Sequence, residues 1–245
     1  MSPFIAEVVG TFVLIGLGHS INANVSLKGT YGKGSGWIVI TIGWGLAVFC
    51  GVTVAAPYSG AHINPAVTLG LAMAGAFAWA DVLPFMGAQM LGAALGAGLV
   101  WVAFRNHFNL EENPDAKLGV FATGPAIKSY PDNFLSEMIG TFFLMFVILY
   151  ITGPDVEAAG TTEIIVGLGS IGALPVAFLV MVIGMGFGGL TGYAINPARD
   201  LAPRMMHAIL PIKGKRDSNW SYAWIPVLAP LAGACAACVL HFLIS

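Results

Sequence analysis

Apolar residues in this chain come in blocks, not in the alternation of a half-buried sheet, and the blocks are as long as a bilayer is thick. Phe4 to about Ile21 is apolar except for Glu7. Gly34–Ala80 contains no Asp, Glu, Lys or Arg, and Val82–Phe104 is a further clean span. Residues 105–133 are rich in charge, Gly and Pro. The pattern then starts again: Phe134–Gly153 is apolar apart from Glu137, Ile164–Ala198 is uncharged, and Tyr222–Ser245 is a last span. One span takes about 20 residues, so both long uncharged runs hold more than one. In the first, Pro57-Tyr-Ser-Gly60 breaks the helix and Asn64-Pro65 restarts it. A span followed by a re-entrant half-helix fits this better than two full spans.

Both restarts carry the same box. Gly60-Ala61-His62-Ile63-Asn64-Pro65-Ala66 is repeated as Gly192-Tyr193-Ala194-Ile195-Asn196-Pro197-Ala198. Asn is a preferred N-cap and Pro is tolerated just after it. Ala6-Glu7-x-x-Gly10-Thr11-Phe12 likewise matches Ser136-Glu137-x-x-Gly140-Thr141-Phe142, and Ala88–Ala93 matches Ala229–Ala234. The chain therefore reads as a duplication of about 4–104 and 134–244 around the linker 105–133, one membrane domain over 1–245. Each half has three full spans, an odd number, so the second half enters from the opposite face. The predicted fold is an all-α membrane protein with six transmembrane helices and two re-entrant half-helices in an inverted repeat. Asn64 and Asn196 are expected to meet near the membrane centre.

Composition agrees: 57% of residues are hydrophobic and 9% charged, against about a quarter charged in soluble domains. A net charge of −2 leaves no basic surface for nucleic acid. The start Met1-Ser2-Pro3 has no basic n-region, which argues against a cleaved signal peptide. Cys235-x-x-Cys238 lacks a second pair and reads as small apolar packing. No cofactor and no metal site is expected. Gly92-x-x-x-Gly96 and Gly184-x-x-x-Gly188 read as close helix packing.

The site is read from what a membrane tolerates. With each Asn backbone helping to cap its half-helix, the side-chain amide N–H groups are expected to donate into a pore. The half-helix N-termini add about half a positive charge each, a field that repels cations and protons. Irregular backbone at Gly60, Ala61, His62 and Ile63 and at Gly192, Tyr193, Ala194 and Ile195 is tolerated only facing protein or water. It is expected to present a ladder of carbonyls. His62 either lines the pore or packs to hold the loop. Arg199, a turn from mid-membrane, must face a cavity or a partner. Asp200 is placed to pair with Arg204 at i,i+4. Glu7 and Glu137 are expected to accept backbone N–H groups of the re-entrant loops, a structural role.

The paired boxes, Ala6-Glu7-x-x-Gly10-Thr11 with its repeat, and Asn196-Pro197-Ala198-Arg199-Asp200 resemble the aquaporin (major intrinsic protein) family over roughly residues 4–244, and within it the glycerol-facilitator branch. That resemblance implies a homotetramer with a pore in each subunit, and a selectivity filter of Trp44, Gly184, Tyr193 and Arg199. Gly184 stands where water-selective members carry His. The aromatic faces of Trp44 and Tyr193 would meet the carbon chain of a polyol while Arg199 takes its hydroxyls. Tyr193 departs from the Phe more usual in that branch, which sets a mainly water-selective pore beside the glycerol reading. The implied function is a passive channel for glycerol, water and small neutral solutes in the cell membrane, with lipid as its surroundings. The positive-inside rule would put loops 22–36, 105–133 and 199–221 in the cytoplasm; the family puts them outside and the termini inside, and the family orientation is adopted. An ion-coupled transporter would need an ionisable midplane residue able to release its proton, which Arg199 is not. A closed structural protein is a further class. No nucleophile–base pair or metal cluster supports an enzyme.

Overall fold

The computed structural model describes residues 1–153 and 168–245, and among these the regular structure is helical. Six helices are long and apolar enough to cross a membrane: α1 (Pro3–Ser26), α2 (Trp37–Ser59), α4 (Trp79–Ala103), α7 (Tyr130–Ile148), the stretch Gly169–Gly186, where a 3-10 turn leads into α8 (Leu174–Gly186), and α11 (Ile225–Ile244). Between them lie two short helices that start on the boxes, α3 (Pro65–Met73) and α10 (Pro197–Ile209), the second preceded by the single turn α9 (Gly188–Thr191). At 1.5 Å per residue, nine residues of α3 reach roughly half of a 30 Å hydrocarbon core. The start of the uncharged run Ile164–Ala198, residues 164–167, lies outside the described residues.

Local chemistry sets the ends. Ser2 caps α1 by accepting the Ile5 N–H, with Pro3 in the first turn. The segment Pro57-Tyr-Ser-Gly60 ends α2, as expected, though the break falls at its last residue and Pro57 itself lies inside the helix. The helix continues to Ser59 and stops at Gly60, whose left-handed backbone donates its N–H to Ala56. The linker 105–133 is partly helical, with α5 (Arg105–Leu110) and α6 (Pro114–Phe121). Lys215 closes the end of α10, its ammonium donating to the carbonyls of His207, Ala208 and Leu210 at 2.7–2.8 Å.

The two halves repeat their packing. α1 lies along α2 and α4, and α7 lies along α11. A Cβ on Gly92 of α4 would sit 2.2 Å from the Val8 carbonyl oxygen; one on Gly233 of α11 would sit 2.2 Å from that of Met138. Small residues there let the backbones touch. The halves also interlock. α3 packs against α11 and α10 packs against α4, so each half-helix is braced by the last span of the other half. Ala66 is buried with Met145, Ala234 and Ala237 in that brace. Large apolar side chains such as Leu83, Leu95, Leu99, Val182 and Leu243 point outward, as lipid contact requires.

Candidate functional site: a necked passage between two half-helices

The backbone ahead of each half-helix is bent the same way. Gly60, Ala61 and Ile63 have φ of 81°, 55° and 43°; Gly192, Tyr193 and Ile195 have 85°, 37° and 41°. Left-handed non-glycine residues are strained and persist only where the surroundings hold them. Two buried carboxylates hold them here. Glu7 accepts the N–H groups of His62 (2.9 Å) and Ile63 (2.7 Å) and the Ser59 hydroxyl (2.7 Å). Glu137 accepts those of Ala194 (2.9 Å) and Ile195 (3.0 Å) and the Thr191 hydroxyl (2.6 Å). Gln89 braces the first loop alone, donating to Glu7 at 2.7 Å and to Thr68 at 2.9 Å.

Each Asn ties its own half-helix to the opposite loop. The Asn64 side-chain oxygen accepts the Ala66 N–H at 2.9 Å, and its amide donates to the Ile195 carbonyl at 2.8 Å. The Asn196 oxygen accepts from Ala198 and Arg199 at 3.0 and 3.2 Å, and its amide donates to the Ile63 carbonyl at 2.9 Å. This corrects the sequence reading twice. The side chain, not the backbone alone, is the cap. One amide N–H of each Asn is spent across the junction, leaving the second of its two. The carbonyls of Ile63 and Ile195 each accept one of these amide N–H groups. Pro65, Ala66, Pro197 and Ala198 form the buried first turns behind the two Asn.

One cavity lies against this junction and a second adjoins it further along. The inner one, about 260 Å3, is bordered by Gly60, Ala61, His62, Ile63 and Ala194, by both Asn, and by an apolar wall including Val48, Leu144 and Val180. The outer one, about 200 Å3, is bordered by Asn22, Trp37, Thr123 and Gly192. Gly192 thus belongs to the outer cavity. Trp44, Tyr193 and Arg199 border both and form the neck. The Arg199 guanidinium lies 4.2 Å from the centre of the Trp44 ring, a cation–π contact.

Gly184 borders neither cavity. A Cβ there would come 2.8 Å from Tyr193 Cζ, and one on Gly188 would come 2.5 Å from its Cδ1. The pair Gly184 and Gly188, read from sequence as close helix packing, does face Thr41 and Trp37 of α2, and it also seats the Tyr193 ring. The indole of Trp37 also donates to the Gly184 carbonyl at 3.0 Å. The Tyr193 hydroxyl is buried and has no partner among the described residues.

Asp200 and Arg204 are fully buried and paired at 2.8 Å, away from both cavities. Asp200 also accepts the N–H and hydroxyl of Thr123, both at 2.7 Å. Arg204 donates to the carbonyls of Ser218 (2.8 Å) and Thr123 (2.9 Å). The pair pins loop segments beside the neck to α10. His62 does both things considered for it. It borders the inner cavity, and its Nδ1 is 3.1 Å from the Thr68 hydroxyl with the ring against Phe77 and Phe85. Sequence reasoning missed His19, Asn22, Gln89 and Thr123. Two of these, His19 and Gln89, are polar residues inside apolar blocks, a usable signal; Asn22 follows the first block and Thr123 lies in the polar linker, and neither carries one. Among the described residues no three His, Cys, Asp or Glu come together as metal ligands.

Comparison with known proteins agrees with this architecture. The family model described as "Major intrinsic protein" matches residues 1–241. The probable glycerol uptake facilitator protein of Thermotoga maritima is 50% identical over 98% of this chain and 98% of its own. The glycerol uptake facilitator protein of Streptococcus pneumoniae is 47% identical over 99% of both. The X-ray structure of the aquaglyceroporin from Plasmodium falciparum superimposes with a TM-score of 0.81 at 34% identity, covering 97% of this chain and 93% of that one.

Proposed function

Since this chain belongs to the major intrinsic protein family, we propose that it is a passive transmembrane channel for glycerol and related small neutral solutes, which also passes water and excludes protons and ions. The neck carries this reading. Trp44 and Tyr193 give apolar ring faces and Arg199 gives fixed N–H donors at the junction of the two cavities. A polyol has a carbon face and a hydroxyl face, and that lining offers a surface for each. Below the neck, the free carbonyls of Gly60, Ala61, His62 and Ala194 succeed one another as acceptors, and the second amide N–H of Asn64 and of Asn196 donates. Cations meet Arg199 and the positive ends of both half-helices. The apolar wall opposite the carbonyls withholds the full hydration shell that an ion needs.

The names of the relatives support glycerol as the solute. The unpartnered hydroxyl of Tyr193 favours a second reading, a narrower and mainly water-selective pore. Stopped-flow light scattering of proteoliposomes decides between them. Rapid reswelling after a glycerol jump is expected. Fast shrinkage in an impermeant osmolyte with no glycerol entry would replace the glycerol reading by the water one.

The repeats about 4–104 and 134–244 with linker 105–133 form one domain in this reading. The channel sits in the cell membrane as a homotetramer with cytoplasmic termini and an external linker. Lys117 in that linker is buried, whereas the Glu112 side chain is 89% exposed, so Glu112→Cys is the residue to probe. Labelling by an impermeant thiol reagent in intact cells is expected; protection would reverse the orientation.

A further inference from the structure

One turn of α1 backs the neck, with Asn22 reaching the edge of the outer cavity. Gly18, His19 and Asn22 lie there, and His19 and Asn22, at i and i+3, share a helix face. Gly18 lets the Trp44 ring rest on the helix: a Cβ would stand 2.4 Å from Trp44 Cζ3. Asn22 Oδ1 accepts the Trp44 indole N–H at 3.0 Å, and the Asn22 amide reaches the Gly119 carbonyl of α6 at 3.4 Å. His19 is fully buried with Nε2 3.3 Å from Arg199 Nη1. Its ring stands edge-on to Trp44 and to Phe121, with centroids 5.4 and 6.3 Å away.

Arginine has donors only and stays charged. Nε2 of His19 must therefore be the unprotonated acceptor, and the ring proton sits on Nδ1. Nδ1 has no partner among the described residues. Among the described residues the His19 ring is satisfied on the single edge that meets Arg199. The contact takes one guanidinium N–H and fixes the plane of the fork, so the remaining donors point at the passage. Asn22 does the same for Trp44. It ties off the one polar hydrogen of the indole and leaves a bare ring face beside the guanidinium.

We infer that His19 and Asn22 are positioning residues for the solute filter, a clamp on α1 that aims Arg199 and Trp44 and so sets discrimination between polyol and water. The inference rests on the channel reading above. Three variants of the full chain test it in proteoliposomes, with glycerol and water permeability measured on the same vesicles so that the amount inserted cancels. His19→Val and Asn22→Val are expected to shift the glycerol-to-water ratio by about threefold or more, the scale of one lost hydrogen bond. His19→Gln, which keeps an acceptor toward Arg199, is expected to stay within about twofold of the parent because that bond is retained. Ratios unchanged in both valine variants would overturn the clamp while leaving the channel intact. Parent vesicles that admit no glycerol would overturn the channel reading instead. The clamp is then read without any solute, from the 15N spectrum of histidine-labelled protein with His19 assigned by the signal lost in His19→Gln. An unprotonated Nε2 is expected, and a protonated one overturns the inference. The same spectrum and Asn22→Val serve if His19→Val fails to insert.

Discussion

At the scale of single residues, the neck is shaped as much by a missing side chain as by those present. Gly184 and Gly188 leave the space that the Tyr193 ring fills. Gly184→Ala puts a methyl 2.8 Å from Tyr193 Cζ and 3.0 Å from Thr41 Cγ2. The ring is the part that can move, and it moves into the passage. Glycerol entry is expected to slow by roughly an order of magnitude, the scale of a moderate overpacking penalty, with water entry less affected, in paired stopped-flow traces. Tyr193→Phe keeps the ring and removes a buried hydroxyl that has no partner among the described residues. Leaving such a group unpaired costs about 1–3 kcal/mol, so the thermal midpoint in detergent is expected to rise and glycerol permeability to hold or increase. A fall in either would show that the hydroxyl has a partner in the working channel.

At the scale of elements, buried polar groups hold segments that are not regular. Glu137 accepts three hydrogen bonds from residues 191–195. Glu137→Gln replaces one carboxylate oxygen by a donor that faces an N–H or O–H. Loss of about 1–3 kcal/mol for each orphaned donor is expected as a lower thermal midpoint, with channel activity falling in parallel as the strained loop relaxes. Arg204→Met strands the fully buried Asp200, and breaking such a pair by removing one partner costs about 3–5 kcal/mol. Little folded protein is expected by size-exclusion chromatography. The linker carries a milder case. Burial pushes the Glu111 carboxyl up, but N–H groups of Asn113 and Lys28 and the Lys33 ammonium more than reverse this, and it lies below its ordinary value. A depressed carboxyl stabilises the folded state fully above its unfolded value, about 4.3 for Glu, and that contribution is lost as pH falls through the folded value. Protection of the Lys28 and Asn113 amides from hydrogen exchange, taken relative to the intrinsic rate at each pH, is expected to be high at neutral pH and to fall only in acid; amides already unprotected at neutral pH would contradict the contact.

At the scale of the whole molecule, two homologous helix contacts carry the architecture. Gly92→Ala and Gly233→Ala each drive a Cβ to 2.2 Å of a backbone oxygen, which no side-chain rotation relieves. Both variants are expected to lower the yield of folded protein to a similar degree, since the two contacts are copies. A large difference would mean that one half folds on the other as template. The crossing of α3 onto α11 and of α10 onto α4 makes either failure global, because each half-helix is braced by the opposite repeat.

The sequence by itself determined the spans, the duplication and the two broken segments, because a bilayer punishes charge and unpaired backbone so strongly that both are written as composition. It also displayed the residues whose presence in an apolar run is costly, Glu7, Glu137 and Arg199, and the doubled Asn-Pro-Ala. For Glu7 and Glu137 it also pointed to the loop N–H groups that they accept; only the tertiary structure decided what Arg199 and the two Asn touch. That the amides of Asn64 and Asn196 cross to the carbonyls of Ile195 and Ile63 depends on two loops far apart in the chain arriving face to face. That Gly184 seats Tyr193, and that His19 backs Arg199, depends on where α8 and α1 lie relative to α10. A lone histidine or glycine in an apolar helix carries no periodicity that distinguishes packing from positioning. The distinction is made by a neighbour from another element at hydrogen-bonding or contact distance, which spacing along the chain does not encode.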